Sequence, residues 1–330
     1  MHVATDRVFR TLSAFNHYTR RWIPAPSGVI SHLPLSRPSS DIPSAPTLSL
    51  VSWNIDAFSP RPIARSKLIL NHILETAEPP DIIFFQEVTT GVRDSLINNT
   101  RIRGTFFITD AEDRTSFEDV PFSTMALLSS ECFVPKADSQ MAESGKEIEG
   151  QGKAQRKFTC GQPSRIALPS NYGRDALSID IAPVTAPDAV FRLLNVHLDS
   201  LEDTLHYRTQ QLEILANTLR EPGYGGGVIA GDFNAISPED DVFVDKNGLA
   251  DAWIALHGTT NGATWSLGRE LRDGLAPGRL DKVATVGVKA ETIEILRPGS
   301  IEVPGPGKES VEIPWSDHCG LRCTVNTERP

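Results

Sequence analysis

Short apolar segments that run directly into acidic, amide or imidazole side chains are the feature that most constrains this chain. The apolar run at 228–230 is followed at once by Gly-Asp-Phe-Asn, which places Asp232 and Asn234 two residues apart at the end of a predicted strand. Glycine, aspartate and asparagine all favour turns, so a plain turn is one interpretation. If the strand continues, alternation places both side chains on one face, where they could act on one reacting group.

The same arrangement recurs at the ends of other predicted strands. Taken singly, each of these polar residues has an ordinary alternative, such as a cap, a surface ion pair, a loop residue or a hydrogen-bonded core histidine. Unrelated turn and cap residues have no reason to assemble the whole set, and ends of different strands hold side chains rigidly. The sequence therefore predicts a catalytic site that contains Asn54, Glu87, His197, Asp232, Asn234, Asp281, Asp317 and His318.

Composition and charge limit the classes of function. The chain has 330 residues, enough for one large domain or two ordinary ones, with a formal net charge of −10 and a pI near 5.3. Such an acidic chain is not expected to coat nucleic acid, because non-specific affinity comes mainly from Lys and Arg. The four cysteines show no C-x-x-C spacing, so neither a zinc site nor a disulfide framework is predicted, and a reducing compartment is expected.

The N-terminus and the hydropathy pattern predict the location. No apolar segment reaches the roughly 18 residues of a membrane span, and no apolar secretory centre follows the first residues. We expect an intracellular monomer of the nucleus and cytoplasm, with no membrane partner. Four arginines and one acid before residue 22 resemble a mitochondrial transit peptide weakly, so the mitochondrion is a second expected location, with a plain N-terminal arm as the alternative.

The chain divides into an arm and one catalytic domain. Residues 1–47 are predicted to be an N-terminal arm and a Pro/Ser-rich linker, because 24–46 combine repeated proline and serine with little apolar periodicity. The domain is predicted over 48–330, with a mobile polar insertion at about 136–164. Apolar spacing predicts helices at about 62–78 and 205–221. Many strands alternating with a few helices indicate an α/β fold.

The ordered set of motifs resembles the endonuclease/exonuclease/phosphatase superfamily of metal-dependent phosphodiesterases and phosphatases. The resemblance implies a DNase I-like α/β fold, a four-layered sandwich of two mixed β-sheets flanked by helices, with the active site at one end. The matching segments are SWNID (52–56), QEV (86–88), NVHLDS (195–200), GDFNA (231–235), RLDKV (279–283) and SDH (316–318).

Within the superfamily the chain is most similar to the tyrosyl-DNA phosphodiesterase 2 branch. This likeness is carried by PDIIFFQEV, by PFSTMALLSS, and by GLADAW and ATW ahead of GRLDKV. One position departs from the branch. Two residues after the asparagine of GDxN, where that branch often has a basic residue, this chain has Ile236. Contacts to phosphate at that point must therefore come from elsewhere, or the substrate differs.

The resemblance implies a Mg²⁺ cofactor, with Mn²⁺ as the alternative. Glu87 would hold the ion through a carboxylate oxygen, the hard ligand that Mg²⁺ prefers. Asn54 would be a further metal ligand or would orient Glu87, a metal-bound water or the phosphate. Asp56 and Asp317 are nearby carboxylates that would either bind the metal or support its ligands, and Asp317 is the better candidate. The metal would stabilise charge that develops on the phosphate and on the leaving oxygen.

The remaining site residues have implied roles in hydrolysis by water. Asp232 would position and deprotonate the attacking water, and Asn234 would fix that water or the phosphate. His197 and His318 would donate hydrogen bonds to the non-bridging phosphate oxygens. Asp281 would hold the His318 ring through its other nitrogen and favour the protonated form.

The implied substrate is a single-stranded DNA 5′ end that carries a tyrosyl adduct derived from a topoisomerase, and hydrolysis would leave a 5′-phosphate. A phenol with a pKa near 10 leaves more readily than an alkoxide. Trp265 is the candidate for stacking on a base, with a core tryptophan as the alternative. An abasic-site endonuclease, a ribonuclease and a phosphatase of small phosphate esters share the motifs and stay open. An inert binding module of this fold is the further alternative.

Overall fold

The computed structural model describes residues 6–25, 46–136, 156–266, 277–305 and 309–328. Its helices are α1 (Pro62–Leu74), α2 (Thr90–Ile97), α3 (Thr100–Thr105), α4 (Leu205–Leu219), α5 (Pro238–Asp241), α6 (Phe243–Lys246) and α7 (Ala252–His257). Its strands are β1 (Arg7–Phe9), β2 (Leu12–Asn16), β3 (Arg21–Pro24), β4 (Thr47–Asn54), β5 (Ile82–Val88), β6 (Phe106–Thr109), β7 (Ser123–Ser129), β8 (Phe133–Pro135), β9 (Phe158–Cys160), β10 (Ser164–Ala167), β11 (Asp175–Pro183), β12 (Val190–His197), β13 (Tyr224–Asp232), β14 (Ala250–Asp251), β15 (Asp281–Val286), β16 (Lys289–Leu296), β17 (Ser300–Pro304), β18 (Ser310–Pro314) and β19 (Gly320–Asn326).

Two mixed sheets contain most of the strands. Sheet I has the order β1-β10-β11-β12-β13-β15-β14, and β9 also pairs with β11 and with β8. Sheet II has the order β16-β19-β4-β5-β7-β6-β2-β3, while β17 and β18 form a separate ribbon. The β12–β13 and β4–β5 pairs are parallel, and their neighbours are antiparallel. Each sheet therefore has a parallel pair near its centre.

The strands alternate between a central core and an outer core. Along β4, Leu48 and Leu50 face the space between the sheets, whereas Val51 and Trp53 face the helices. Helices α1, α2 and α3 cover the outer face of sheet II, and α4 covers the outer face of sheet I, where Leu215 is fully buried. The order helix, sheet, sheet, helix confirms the four-layered sandwich of two mixed sheets.

The prediction of a plain N-terminal arm before residue 48 is wrong for residues 7–24. Strand β1 pairs with β10 in sheet I, and β2 pairs with β3 and β6 in sheet II. Leu12 and Trp22 are buried in the central and outer cores respectively. These strands have three to five residues, too few for alternation to distinguish them from a loop. Most of the predicted linker, residues 26–45, lies outside the described residues.

Three other predicted boundaries shift. Strand β9 and the start of β10 fall inside the predicted polar insertion at 136–164, because Phe158 and Cys160 are buried against sheet I. Residues 137–155 of that insertion lie outside the described residues. Helix α1 ends four residues before the predicted 78, and α4 ends two residues before 221. In the described part of the chain, the helices lack the length and apolar character needed to cross a membrane.

Candidate active site

The predicted site residues come together because the carboxyl ends of the two parallel pairs, the start of β15 and the loop before β19 meet at one end of the sandwich. In sheet I, His197 is paired with Asp232 across β12 and β13, and Asp232 is paired with Asp281 across β13 and β15. In sheet II, β4 ends at Asn54, and Glu87 lies next to the last residue of β5. Side chains from both sheets can therefore reach the same point.

The space between the sheets becomes polar as it approaches this end. Gln86 donates one hydrogen bond across the sheets to Asn195 Oδ1 at 2.8 Å and another to Ser52 Oγ at 3.1 Å. Asn195 donates to the backbone oxygen of Met125 at 2.9 Å. All these side chains are buried, and Gln86 Oε1 has no hydrogen-bond partner among the described residues. The hydrogen bond from Gln86 Nε2 to Asn195 fixes the spacing of the two sheets directly below the site.

The Gly-Asp-Phe-Asn segment is explained by two backbone requirements. Gly231 has φ +146°, and a Cβ there would lie 2.0 Å from the Val196 oxygen, so the close approach of the two strands requires glycine. The strand ends at Asp232, and Asn234 has a left-handed φ of 48°. Its N–H donates to Asp232 Oδ1 at 2.8 Å, while its side chain donates to the Leu198 oxygen at 2.9 Å. The strand does not continue to Asn234, so the turn interpretation is correct for the backbone.

Asn54 connects the two carboxylates of the site. Its Nδ2 donates to Asp232 Oδ2 at 2.9 Å and to Glu87 Oε1 at 3.2 Å. The Ala57 N–H donates to Glu87 Oε2 at 2.8 Å. Glu87 itself has φ 57°, a conformation that non-glycine residues adopt rarely and mainly at functional positions. Burial raises the pKa of Glu87 and outweighs the Ala57 N–H, the charge of His318 and the Asn54 amide, which all lower it.

His318 is held as a cation by two carboxylates. Its Nδ1 lies 2.8 Å from Asp281 Oδ2, and its Nε2 lies 3.7 Å from Asp232 Oδ2. Burial opposes a charge on the ring, but Asp281 and then Asp232 outweigh it and raise the His318 pKa well above its ordinary value. Burial would raise the pKa of Asp232, but His318 and then His197 hold it below the usual range. The site therefore contains an ionised carboxylate beside an imidazolium at neutral pH.

His197 is in the opposite charge state. Its Nε2 lies 3.5 Å from Asp232 Oδ2 and 3.9 Å from Glu87 Oε1. The ring stacks on Phe122 with a centroid distance of 5.5 Å and an interplanar angle of 17°. Burial, followed by the nearby charge of Arg174, lowers the His197 pKa to about 3. A neutral ring can still donate one hydrogen bond to a phosphate oxygen without adding charge.

The donors present fit a divalent cation. Asp232, Asp281 and His318 offer ligand atoms that all lie within 4.8 Å of one another. Asp281 already binds the His318 ring, however, and Glu87 keeps 15% of its side chain exposed, so Glu87 is the better placed of these groups to take an ion from solvent. Carboxylate oxygens are the ligands that Mg²⁺ prefers. The excess of carboxylates over cationic side chains matches a site completed by a metal ion.

Asp317 and Trp265 lie at the edge of this cluster. Asp317 is 26% exposed, and its Oδ1 is 4.0 Å from His318 Nε2. Its Oδ2 accepts a hydrogen bond from Trp265 Nε1 at 3.2 Å. The backbone of Trp265, which is half-buried, forms a bridge with His318. Both residues can therefore contact a substrate that reaches His318. The predicted roles of Asp317 at the metal and of Trp265 in base stacking stay predictions.

Asp56 is tied to the loop that follows β4. Its Oδ1 accepts the Ser59 N–H at 3.1 Å, and its Oδ2 lies 3.8 Å from Nη1 of the buried Arg65. The Asp56 N–H donates to Asn54 Oδ1 at 3.0 Å, so Asn54 directs its amide oxygen away from the carboxylates that its nitrogen bridges. These contacts give Asn54 and Asp56 clear positioning roles. Metal ligation by either residue stays a prediction.

Arg174 is the functional candidate that the sequence analysis missed. Its guanidinium carbon lies 5.1 Å from the centre of the Phe122 ring. Burial lowers the Arg174 pKa, and the charges of Asp232 and Glu87 act in the opposite sense, so the guanidinium is within electrostatic reach of both carboxylates. It can supply the cation that Ile236 cannot. Arg174 lies in a short loop before β11 and belongs to none of the motifs, so spacing gave no signal.

A cleft of about 480 Å³ opens beside His197. Its lining combines aromatic rings, hydroxyl groups and the guanidinium of Arg174. Phe58 at the rim is 76% exposed, and Tyr172 is 39% exposed. The cleft is therefore open to a substrate that extends away from the carboxylates.

The two-sheet sandwich and the carboxylate–imidazole cluster at its end define a hydrolase of the DNase I-like class. The family model described as "Endonuclease/Exonuclease/phosphatase family" matches residues 51–318, and the chain belongs to this family. Among curated proteins, no significant match is found.

Solved structures show the same fold at low identity. D. rerio TDP2 complexed with single strand DNA product is 18% identical with a TM-score of 0.59, over 85% of this chain and 99% of that chain. Truncated Caenorhabditis elegans TDP2 is 20% identical with a TM-score of 0.58, over 85% and 98%. The Bacteroides thetaiotaomicron mannosyl-6-phosphatase Bt3783 is 15% identical with a TM-score of 0.52, over 84% and 99%.

Proposed function

We propose that this chain hydrolyses the phosphodiester bond between a DNA 5′ end and a tyrosyl residue, with Mg²⁺ as cofactor, and leaves a 5′-phosphate. The observation that carries the proposal is the Asn54 bridge between Glu87 and Asp232, which faces one cationic and one neutral imidazole. Bound at Glu87, the metal would stabilise negative charge on the phosphate and the leaving oxygen. The other steps can be assigned to side chains of this chain.

Asp232 orients the attacking water and accepts its proton. Asn54 and the Asn234 N–H donate to different oxygens of this carboxylate and fix its plane. The charge of His318 keeps it ionised, so it is ready to accept a hydrogen bond from water. The fixed position of the Asp232 carboxylate contributes more to the reaction rate than its basicity does, because the water need not be oriented during the reaction.

The two imidazoles stabilise the phosphate as charge develops. His318, held by Asp281, donates from Nε2 as a cation, and His197 donates as a neutral ring. Both are buried, where a donor that needs no reorientation is most effective. Arg174 offers a further cation on the same side as His197. The site thus distributes donors around one phosphate without a strong acid at the leaving oxygen.

A phenolic leaving group suits this arrangement. Tyrosine, with a pKa near 10, leaves without prior protonation far more readily than an alkoxide does. The motif resemblance to the tyrosyl-DNA phosphodiesterase 2 branch and the DNA product held by the D. rerio TDP2 structure support the same substrate. The aromatic cleft beside His197 supports a nucleic-acid strand over a compact sugar phosphate.

The test is a cleavage assay of the full chain with Mg²⁺ and with EDTA. The substrates are a 5′-phosphotyrosyl single-stranded oligonucleotide, an abasic-site duplex, a single-stranded RNA and mannose 6-phosphate, and Glu87→Gln is the matched inactive control. Mg²⁺-dependent release of tyrosine from the first substrate alone is expected. Activity confined to the duplex, the RNA or the sugar phosphate would replace the proposal with an endonuclease, a ribonuclease or a phosphatase.

A further inference from the structure

The first strands of the chain lie outside the family match and still reach the candidate site. The match begins at residue 51, whereas β1, β2 and β3 lie between residues 7 and 24. Strand β1 extends sheet I, and β2 and β3 extend sheet II, so this N-terminal strand segment connects the two sheets at their edges. It is an addition to the part of the sandwich that the family model covers.

Arg10 stands at the joint between β1 and β2. Its N–H donates to the Pro163 oxygen at 2.8 Å, which fixes it to the loop before β10. Its Nη1 donates to Asp113 Oδ2 at 2.6 Å and also contacts Thr115 Oγ1. The side chain of Arg10 is only 11% exposed. One residue therefore ties the N-terminal strand segment to the loop that begins after β6.

That loop forms one wall of the cleft beside His197. Arg10, Thr115 and Ser116 line the cleft, and the same loop leads to Phe122, which stacks on the His197 ring and lies below the Arg174 guanidinium. The position of the wall is thus coupled to the N-terminal strand segment through Arg10. Displacement of the loop would change the cleft without breaking the carboxylate–imidazole cluster.

We propose that the N-terminal strand segment, through Arg10 as a positioning residue, sets the affinity of the cleft for the nucleic-acid strand that continues from the scissile phosphate. This inference rests on the proposed function, because it requires a nucleic-acid substrate. Exposed aromatic rings next to cations and hydroxyl groups are the features that bind single strands. A cleft of about 480 Å³ is also within the size range of pockets that hold a nucleotide-sized group.

The first experiment measures binding without catalysis. A fluorescein-labelled, 5′-phosphorylated single-stranded DNA of a few nucleotides is titrated in EDTA with wild type, Arg10→Gln and Arg7→Gln. Arg7 is the matched control, because it lies on the same strand segment but pairs with Glu221 instead of lining the cleft. We expect Kd to rise about tenfold for Arg10→Gln, the size of one lost base contact, and to stay unchanged for Arg7→Gln. Equal effects of the two substitutions would overturn the proposal.

The second experiment separates binding from chemistry. With the cleaved oligonucleotide substrate, Arg10→Gln should raise KM about tenfold and leave kcat within about twofold. With bis(4-nitrophenyl) phosphate, which has no strand to place in the cleft, kcat/KM should match that of wild type. A parallel loss on both substrates would mean that Arg10 only supports the fold, and would overturn the proposal.

Two further measurements keep the outcomes distinct. If Arg10→Gln melts below the assay temperature, Asp113→Asn removes the ionic part of the same contact from the other side and is expected to raise KM in the same direction. If wild type releases no tyrosine but binds the labelled DNA with the Arg10 dependence described, the proposed leaving group is wrong and the role of Arg10 stands. If both Arg10→Gln and Asp113→Asn bind the labelled DNA with the Kd of the wild type, the proposed role of Arg10 is overturned.

Discussion

Arg165 and Asp232 are both buried charges, but their surroundings differ. Arg165 Nη2 donates to Asp110 Oδ2 at 3.0 Å, and its Nη1 donates to both oxygens of Asp175 at 2.9 and 3.1 Å. Further hydrogen bonds run to Thr124. These charged contacts raise the Arg165 pKa further above its ordinary value even though burial opposes them. Both carboxylates therefore have a cationic hydrogen-bond partner within the protein, while Arg165 Nε has no hydrogen-bond partner among the described residues.

The Asp232 cluster has too much negative charge for its own cations. Asp232, Asp281 and Glu87 face one cationic imidazole and a neutral one, with Arg174 at the margin. Burial raises the pKa of Glu87, and the nearby charge of Asp232 adds to this effect. Both carboxylates beside Arg165 are hydrogen-bonded to its guanidinium. Glu87, in contrast, accepts hydrogen bonds from the neutral Asn54 amide and the Ala57 N–H, so an added cation would complete this acid-rich cluster. The first cluster is therefore a scaffold, whereas the second is a candidate site.

The largest effect is expected at Asp232. Asp232→Asn keeps the shape of the side chain and its contact with the Asn234 N–H, but removes the charge and the base. We predict a loss of at least about 1,000-fold in kcat, at the upper end of what loss of one catalytic group costs. The metal-free protein should stay folded, because the substitution reduces an excess of negative charge.

His318→Ala should also abolish most turnover without unfolding. Wild-type turnover in either variant, with a normal melting curve, would contradict these role assignments.

The sequence predicted the Asp232 cluster better than the Arg165 cluster, for a physical reason. Catalytic side chains stand at strand ends, next to apolar runs that are visible in the sequence, and the order of the motifs was informative. Arg165 and Asp110 are 55 positions apart and meet only through packing of the two sheets. Nothing in their local sequence marks them as partners.

The same reason explains the other omissions. Arg174 acts from a loop whose position depends on tertiary contacts, and the Gln86 bridge to Asn195 requires the sheet spacing to be known. The short N-terminal strands carry too few residues for a period to be read. The fold class, the grouping of most candidate site residues and the contact of Asp281 with His318 were therefore predictable, whereas most other contacts between elements were not.

The scaffold cluster should show the opposite pattern to Asp232. Arg165→Met leaves Asp110 buried without its guanidinium, and removal of one partner of a buried pair typically costs about 3 to 5 kcal/mol of stability. Urea denaturation should show this loss, while kcat of the folded fraction stays close to that of wild type. The part-exposed pair of Arg7 and Glu221 provides the control, since its loss should cost less than about 1 kcal/mol. A stable but inactive Arg165→Met would contradict the distinction between the clusters.

Magnesium should stabilise the acid-rich cluster alone. At a Mg²⁺ concentration about 100 times Kd, binding to the native state adds about 2.7 kcal/mol to the free energy of unfolding. The increment should vanish in Glu87→Gln and persist in a destabilised but folded Arg165→Met. Differential scanning calorimetry with and without EDTA measures both. An increment that survives Glu87→Gln would place the ion elsewhere.

The smallest expected effect is a pH slope from His197. Its pKa in the folded state is about 3, below the value of about 6.5 in unfolded chains. Between these values the unfolded chain binds the extra proton, so this residue makes stability rise with pH from about 3 to 6.5. Replacement by glutamine should reduce the slope of the unfolding free energy against pH by at most about 1.4 kcal/mol per unit in that window.

Urea titrations of the metal-free proteins at pH 5 and 6 give the difference directly, and Arg7→Gln, which lies outside the site, should keep the wild-type slope. An unchanged slope in His197→Gln would mean that the His197 ring is charged in the folded state. The contrast between the neutral His197 and the cationic His318, on which the proposed chemistry depends, would then be lost.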